Sequence, residues 1–127
     1  MDTSAYSAFM RGHGGVVDAV RHAEEIVFTP TVLGELKSGF LLGSQTARNE
    51  KELAQFLESS RVRTVVMDEE TAARYAVIFA DLKKAGRPVP SNDLWIAASA
   101  MQHGLPILSL DSHFLRIKQV LVEHFET

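Results

Sequence analysis

Apolar residues along the chain follow two patterns, short mainly apolar runs and longer stretches with helical spacing. Runs at residues 26–28 (IVF) and 107–110 (ILSL) predict buried strands, and those at 62–67 (VRTVVM) and 120–125 (VLVEHF) predict two further strands. Helical spacing predicts helices at residues 16–25, 32–42, 46–59, 69–85 and 93–103, with a short helical turn at 113–118. Short apolar strands that alternate with helices are typical of a parallel α/β sheet with helices on both faces.

Capping residues give these helices predicted ends. Thr31 is the expected N-cap of the helix at residues 32–42, and Gly43 its end. Asp68 is the expected N-cap of the helix at residues 69–85, and Gly86 its end. Residues 87–91 (RPVPS) cannot be helical, because each proline holds the preceding residue extended.

Composition narrows the class of protein. A chain of 127 residues with 46% hydrophobic and 23% charged residues predicts one globular domain spanning residues 1–127. The absence of cysteine excludes disulfides and thiolate metal sites, and it makes the cytoplasm the expected compartment. The net charge of -3 gives no overall attraction for nucleic acid, so such a substrate would need local basic residues or bound cations. No apolar run reaches the length of a membrane span.

Four acidic residues are expected near the carboxyl edge of the sheet: Asp2, Glu35, Asp93 and Asp111. In parallel sheets, this edge is where ligands bind. Asp93 opens a helix whose next residues are all apolar, and Asp111 directly follows a predicted buried strand. Each acid alone has a simpler explanation, as a favourable charge in a first helical turn or as a cap. Together they would repel one another at the rim of an apolar core unless a cation neutralised them, and oxygen ligands suit Mg²⁺ or Mn²⁺.

Several motifs, spread over essentially the whole chain, match a known family. They are Asp2-Thr3-Ser4, then Thr29-Pro30 followed by Glu35, then residues 90–98 (PSNDLWIAA), and residues 104–111 (GLPILSLD) with Phe114 and Ile117 behind. On these motifs the chain resembles PIN-domain ribonucleases, and among them VapC-type toxins of toxin–antitoxin pairs. The last two motifs are specific in combination, whereas the first two are weak alone.

The resemblance implies a PIN-like α/β fold with a parallel central sheet of four to five strands. It also implies that Asp2, Glu35, Asp93 and Asp111 bind Mg²⁺ or Mn²⁺ and hydrolyse RNA, with Ser4 and Ser109 as supporting polar residues. Implied partners are a cognate antitoxin and a second copy of the chain in a homodimer. The polar-rich helices at residues 32–59 are the expected partner groove, because their apolar residues Phe40, Leu41, Leu42 and Phe56 need a cover.

The start of the sequence departs from the family pattern. Relatives have several apolar residues before the first acid, whereas only Met1 precedes Asp2. Either the recorded start lies downstream of the natural one, or the first strand is shortened and Asp2 lies in a mobile terminus. A strand formed from residues 3–9 is a further possibility.

The function expected from these observations is that of a metal-dependent endoribonuclease acting as a toxin. Arg87, Lys37 and Arg11 are candidate RNA-binding residues, although ordinary surface charge explains each of them equally well. Of the histidines, only His113 is expected near the acids. The alternatives are a solitary RNA-processing nuclease and a catalytically silent PIN-like binding module. A phosphotransfer receiver or phosphatase is disfavoured, because an acid pair at the first strand and a lysine after the last strand are not evident.

Overall fold

The computed structural model describes residues 1–127, which form six α-helices, four short strands and one 3-10 helix. The elements are α1 (Thr3–Met10), α2 (Gly14–His22), β1 (Ile26–Phe28), α3 (Pro30–Leu42), α4 (Thr46–Leu57), β2 (Val62–Thr64), α5 (Glu69–Ala85), α6 (Ser91–His103), β3 (Ile107–Ser109), the 3-10 helix (Ser112–Arg116) and β4 (Val122–His124). The predicted strands at residues 26–28, 62–67, 107–110 and 120–125 are confirmed, three of them with shorter bounds. None of the helices has both the length and the apolar character that a membrane crossing requires.

The strands form two parallel pairs rather than one continuous sheet of four to five strands. β1 pairs with β2, and β3 pairs with β4. Only the first two residues of the chain connect the pairs: the amino group of Met1 donates to the Val27 carbonyl at 3.2 Å, and the Asp2 amide donates to the Leu108 carbonyl at 3.1 Å. A largely apolar cavity of about 330 Å³ opens beside this connection, lined by residues of both β1 and β3.

Residues 3–9 are helical, so the strand considered for this segment is wrong. Asp2 has the extended backbone of an N-cap, with φ −89° and ψ 179°, and its carboxylate accepts a hydrogen bond from the Ala5 amide at 2.8 Å. Aspartate is among the strongest N-caps, because it satisfies an amide that has no partner within the helix. Asp2 is also buried, and therefore does not lie in a mobile terminus.

Three helix starts show how far local signals reached. The predicted capping of α5 is confirmed: Asp68 and Thr71 form a reciprocal capping box, and Gly86 ends the helix at φ +66°. The predicted start of α3 was wrong by two residues, because Thr29 rather than Thr31 caps it and proline occupies the first helical turn. α6 begins at Ser91, so Asp93 lies within its first turn instead of opening it.

The core contains an aromatic cluster that joins the first and fourth helices to β1. Tyr6, Phe28 and Phe56 meet edge to face, with ring centroids 5.5 to 5.9 Å apart, and Phe9 joins through Phe56 at 5.3 Å. The expectation that Phe56 is an exposed partner contact is therefore wrong, and Phe40 is only partly exposed. Leu41 and Leu42 are 73% and 90% exposed, as expected of an uncovered surface.

Leu53 provides a test of how α4 is attached, because it is the buried residue of that otherwise polar helix. We expect Leu53→Ala to lower the free energy of unfolding by about 2–4 kcal/mol through lost apolar burial and a residual cavity. Leu42→Ala, the same change at an exposed site, should cost less than about 0.5 kcal/mol. Urea denaturation followed by fluorescence of the single tryptophan, Trp95, measures both. Equal effects of the two substitutions would contradict this packing.

Candidate metal centre

Asp93 is held at the mouth of a buried helix. The extended segment before Ser91 delivers the chain to α6, in which Leu94, Ile96, Ala97 and Ala98 are buried directly after the acid. The Asp93 side chain is 14% exposed. Its position in the first helical turn lets the helix dipole favour the charged form, but the neighbouring apolar residues remove most of the water that would stabilise it.

Asp111 lies at the turn between β3 and the 3-10 helix. Its carboxylate caps that helix by accepting the His113 amide at 2.8 Å, and its own amide donates to the Ser109 hydroxyl at 2.8 Å. The side chain remains 35% exposed. These contacts fix the direction of Asp111 while leaving one carboxylate oxygen without a hydrogen-bond partner.

Glu35 is held by two neutral donors from other elements. The Thr3 hydroxyl donates to its Oε1 at 2.7 Å, and the Asn92 amide donates to its Oε2 at 3.3 Å. Thr3 begins α1 and Asn92 precedes Asp93 in α6, so three helices meet at this carboxylate. Both donors are uncharged, and the negative charge of Glu35 is therefore not compensated by them.

Three of the predicted acids act on one another electrostatically. The pKa of Asp93 is raised to about 6, first by burial and then by the negative charges of Asp111 and Glu35, against an opposing effect of His113. One side-chain atom each from Asp93, Asp111 and His113 lie within 4.8 Å of one another. The structure thus brings Asp93 and Asp111 together with His113, and the charge of Glu35 acts on Asp93.

Asp2 is connected to this cluster through serines. Its carboxylate accepts hydrogen bonds from the hydroxyls of Ser109 at 2.6 Å and Ser4 at 2.8 Å, besides the Ala5 amide. Ser4 in turn accepts the Leu110 amide at 2.9 Å. Burial raises the pKa of Asp2, and the three hydrogen bonds oppose that rise. Asp2 therefore lies one hydrogen-bonded residue away from the turn that carries Asp111.

The three basic residues expected to guide RNA contact none of the four acids. Lys37 forms an ion pair with Glu50 at 2.7 Å. Arg11 ends α1 and lines a cavity of about 200 Å³ with Tyr6, Leu36 and Glu52. Arg87 is exposed in the segment before α6 and has no ion-pair partner. Arg11 is likewise exposed without an ion-pair partner, so the charges of Arg87 and Arg11 are more available to a ligand than that of Lys37.

Sequence reasoning gave no role to Thr3 or Asn92, and none to His113 beyond proximity. Each is close in sequence to a predicted acid, Thr3 beside Asp2, Asn92 beside Asp93 and His113 two residues after Asp111. That adjacency was the available signal. It could not reveal that Thr3 and Asn92 both contact Glu35, because this contact joins residues 32 and 57 positions apart.

The donor set fits a divalent cation. Carboxylates held at short range without a compensating arginine or lysine raise the pKa of Asp93, and a cation between them would remove that repulsion. Oxygen donors are the preferred ligands of Mg²⁺ and also suit Mn²⁺. Asp93, Asp111 and Glu35 are thus residues that can hold a divalent cation.

Known proteins with similar sequences and folds point to one protein family. The family model described as "PIN domain" matches residues 1–120. Ribonuclease VapC5 of Mycobacterium tuberculosis is 31% identical over 114 residues, which cover 90% of this chain and 83% of that protein. The structure of VapBC-5 from the same organism, a member of the VapBC family of toxin–antitoxin systems, aligns with a TM-score of 0.61 and 31% identity over 78% of this chain and 79% of that chain.

A more distant structure shows how fully the fold is shared. VapBC2 from Rickettsia felis aligns with a TM-score of 0.85 over 96% of this chain and 93% of that chain, at 21% identity. Fold similarity over nearly the whole length agrees with the family match at residues 1–120 and with the identity to a ribonuclease. The chain therefore belongs to the PIN domain family.

Proposed function

We propose that this protein is a divalent-metal-dependent endoribonuclease that acts as the toxin of a toxin–antitoxin pair. The observation that carries the proposal is the cluster of Asp93, Asp111 and His113, with the charge of Glu35 acting on Asp93 and no arginine or lysine paired with these acids. The similarity of the chain to ribonuclease VapC5 supports RNA as the substrate. Catalysis of phosphodiester hydrolysis at such a centre needs a cation, because the acids alone would repel the phosphate.

Asp2, Glu35, Asp93 and Asp111 are the proposed ligands of Mg²⁺ or Mn²⁺. When bound, the cation supplies positive charge to the phosphate oxygens and lowers the pKa of a water for in-line attack. Asp93 must lose its proton to bind, and because its pKa is raised to about 6 the carboxylate predominates only above that pH. Asp111 offers Oδ1, which accepts the His113 amide and has a second lone pair for a cation.

Glu35 is proposed either to orient the attacking water or to accept a proton from it. Thr3 and Asn92 hold its two oxygens from the sides, which restricts rotation of the carboxylate. An oxygen that is not fully used in coordination can receive the proton of the attacking water. A fixed orientation favours this step, since the proton acceptor must lie within hydrogen-bond distance of the water in the reacting geometry.

Ser4 and Ser109 are proposed to support the centre through Asp2. Their hydroxyls donate to the buried Asp2 carboxylate and accept amides of Leu110 and Asp111 respectively. Each serine thereby connects the first turn of α1 to the turn after β3. The two serines fix the separation between Asp2 and Asp111.

RNA is proposed to approach the N-terminal end of α6, where Arg87 lies in the preceding segment. Arg87, Lys37 and Arg11 remain the candidate phosphate-binding residues, with Lys37 the weakest because Glu50 already neutralises it. A bound cation adds local positive charge to a chain whose net charge is -3. Basic residues and cation together provide the attraction that the whole chain lacks.

The proposed partner is an antitoxin that covers the C-terminal end of α3. Leu41 and Leu42 are exposed there, and the cavity of about 200 Å³ lined by Met10, Leu36 and Phe40 lies beside them. Similarity to VapBC-5, which belongs to a toxin–antitoxin family, supports a partner of this kind. A homodimer and a cytoplasmic location are further parts of the proposal.

Removal of the Asp93 charge tests the nuclease. We expect Asp93→Asn to reduce cleavage of RNA roughly 100-fold or more, since loss of even an outer-shell partner of a metal costs 10–100-fold. Asp18→Asn, on the exposed surface of α2, is the control and should cleave normally. The assay follows a fluorescent structured RNA with Mg²⁺ or Mn²⁺ and with EDTA. Equal activity of folded Asp93→Asn and the parent would reject the site, and inactivity of the parent with every divalent metal would favour a silent binding module.

The raised pKa of Asp93 also predicts how the free energy of unfolding of the metal-free protein, measured in EDTA, depends on pH. Between the unfolded-state pKa near 3.9 and the folded value of about 6, the unfolded chain loses the proton first. Stability therefore falls as the pH rises through this range and is flat above it. Asp93→Asn should raise the free energy of unfolding on the order of 1–2 kcal/mol at pH 7.5 and change it little at pH 4, after allowance for solvent screening.

Urea denaturation at the two pH values measures this difference. Glu24→Gln, at an exposed carboxylate without an ion-pair partner, serves as the control and should have a small effect at both pH values. An Asp93→Asn variant that is less stable than the parent at pH 7.5 would show that the carboxylates do not repel one another.

Growth of a bacterial host distinguishes a toxin from a solitary nuclease. Induced expression of the parent chain should arrest growth, because uncontrolled RNA cleavage stops protein synthesis, whereas Asp93→Asn at equal protein level should not. Colony counts after induction, with immunoblots for expression level, provide the measurement. Normal growth despite active purified enzyme would favour a dedicated RNA-processing role.

A further inference from the structure

His113 places a ring nitrogen between two of the proposed metal ligands. Its Nδ1 lies 3.1 Å from Asp111 Oδ1 and 3.4 Å from Asp93 Oδ2. The nitrogen is buried, although the side chain as a whole is 37% exposed, and it has no partner with hydrogen-bond geometry. The backbone explains the position of the imidazole. The Asp111 carboxylate accepts the His113 amide, and this contact turns the His113 ring back toward the acids.

Three electron-rich atoms at such distances need a positive charge among them. A proton on Nδ1 provides one when it points at an oxygen, but the angles here are not those of a hydrogen bond. A metal ion has no such requirement, because it attracts the nitrogen lone pair and both carboxylates at once. Neutral imidazole nitrogen is among the commonest metal ligands in proteins.

The two distances from Nδ1 agree with octahedral coordination. Two ligands at right angles, each about 2.1 Å from a metal, are about 3.0 Å apart. The separations of 3.1 and 3.4 Å from Nδ1 are close to this value. One ligand atom from each of the three residues lies within 4.8 Å of the other two, so the residues share one small site.

We infer that His113 is a nitrogen ligand of the metal centre and that it sets the preference of the site for Mn²⁺ over Mg²⁺. The inference rests on the proposed metal-dependent function and goes beyond its four carboxylates. Imidazole suits transition metals, whereas Mg²⁺ favours carboxylate, carbonyl and water oxygens. A site made of oxygens alone would discriminate less between the two ions.

Pulsed electron paramagnetic resonance of bound Mn²⁺ tests the ligand directly. The parent protein should show coupling to a directly bound ¹⁴N, and His113→Gln should lose it. His103→Gln, at the exposed end of α6, is the matched control and should keep it. The measurement on the parent needs no substitution, so a folding defect of the variant cannot obscure the result.

Calorimetric titration gives a second readout with a distinctive sign. We expect His113→Gln to weaken Mn²⁺ binding roughly tenfold or more and Mg²⁺ binding less than about threefold, in keeping with the ligand preferences of the ions. If His113 only neutralises the acids in the absence of metal, its removal should leave Mn²⁺ binding unchanged or tighten it, and this outcome would overturn the inference.

The two levels of the proposal fail differently. Mn²⁺ binding by the parent without ¹⁴N coupling would refute the role of His113 and leave the carboxylate centre intact. Absence of any Mn²⁺ or Mg²⁺ binding to the parent would refute the metal centre itself, and with it the inference.

Discussion

The buried carboxylate of Asp2 is the interaction on which most of the structure depends. It caps α1 through the Ala5 amide, accepts the hydroxyls of Ser4 and Ser109, and follows the residue whose amino group reaches β1. Its own amide bonds to Leu108 of β3. Asp2 thus helps to set three features: the start of α1, the connection between the two strand pairs, and the position of the turn that carries Asp111. A buried acid needs such partners, because removing it from water without them would cost several kcal/mol.

The acids nearer the surface show the opposite energetic balance. Asp93 is desolvated by its own helix and repelled by Asp111 and Glu35, so its charge weakens the metal-free fold. The cost is local, since the apolar residues that follow Asp93 contribute to the core whether or not it is charged. A cation that binds only the folded state would recover this free energy, which couples ligand binding to stability. Strain of this kind is expected where acids are retained for chemistry.

The sequence predicted best where the determinants are local. The ends of α5 follow from Asp68 and Gly86, and the placement of Asp93 and Asp111 follows from the apolar stretches beside them. Residues 3–9 were open to a strand interpretation because their composition suits either element, and the hydrogen bond from Ala5 to Asp2 decides for a helix. The pairing of the strands, the packing of Phe56 on Phe28 and the contacts of Glu35 with Thr3 and Asn92 depend on distant parts of the chain. Spacing along the sequence carries no information about such pairs.

Helices α1 and α3 connect the acidic centre to the exposed apolar surface. Thr3 and Glu35 meet near the beginnings of these helices, while Met10 and Phe40 line the cavity near their ends. Six residues of helix separate Glu35 from Leu41, a rise of about 9 Å at 1.5 Å per residue. A partner seated on Leu41 and Leu42 would therefore lie within the reach of a few extended residues from the carboxylates. One continuous segment of a partner can then cover the apolar surface and block access of RNA to the centre. Such inhibition requires no conformational change transmitted through the core.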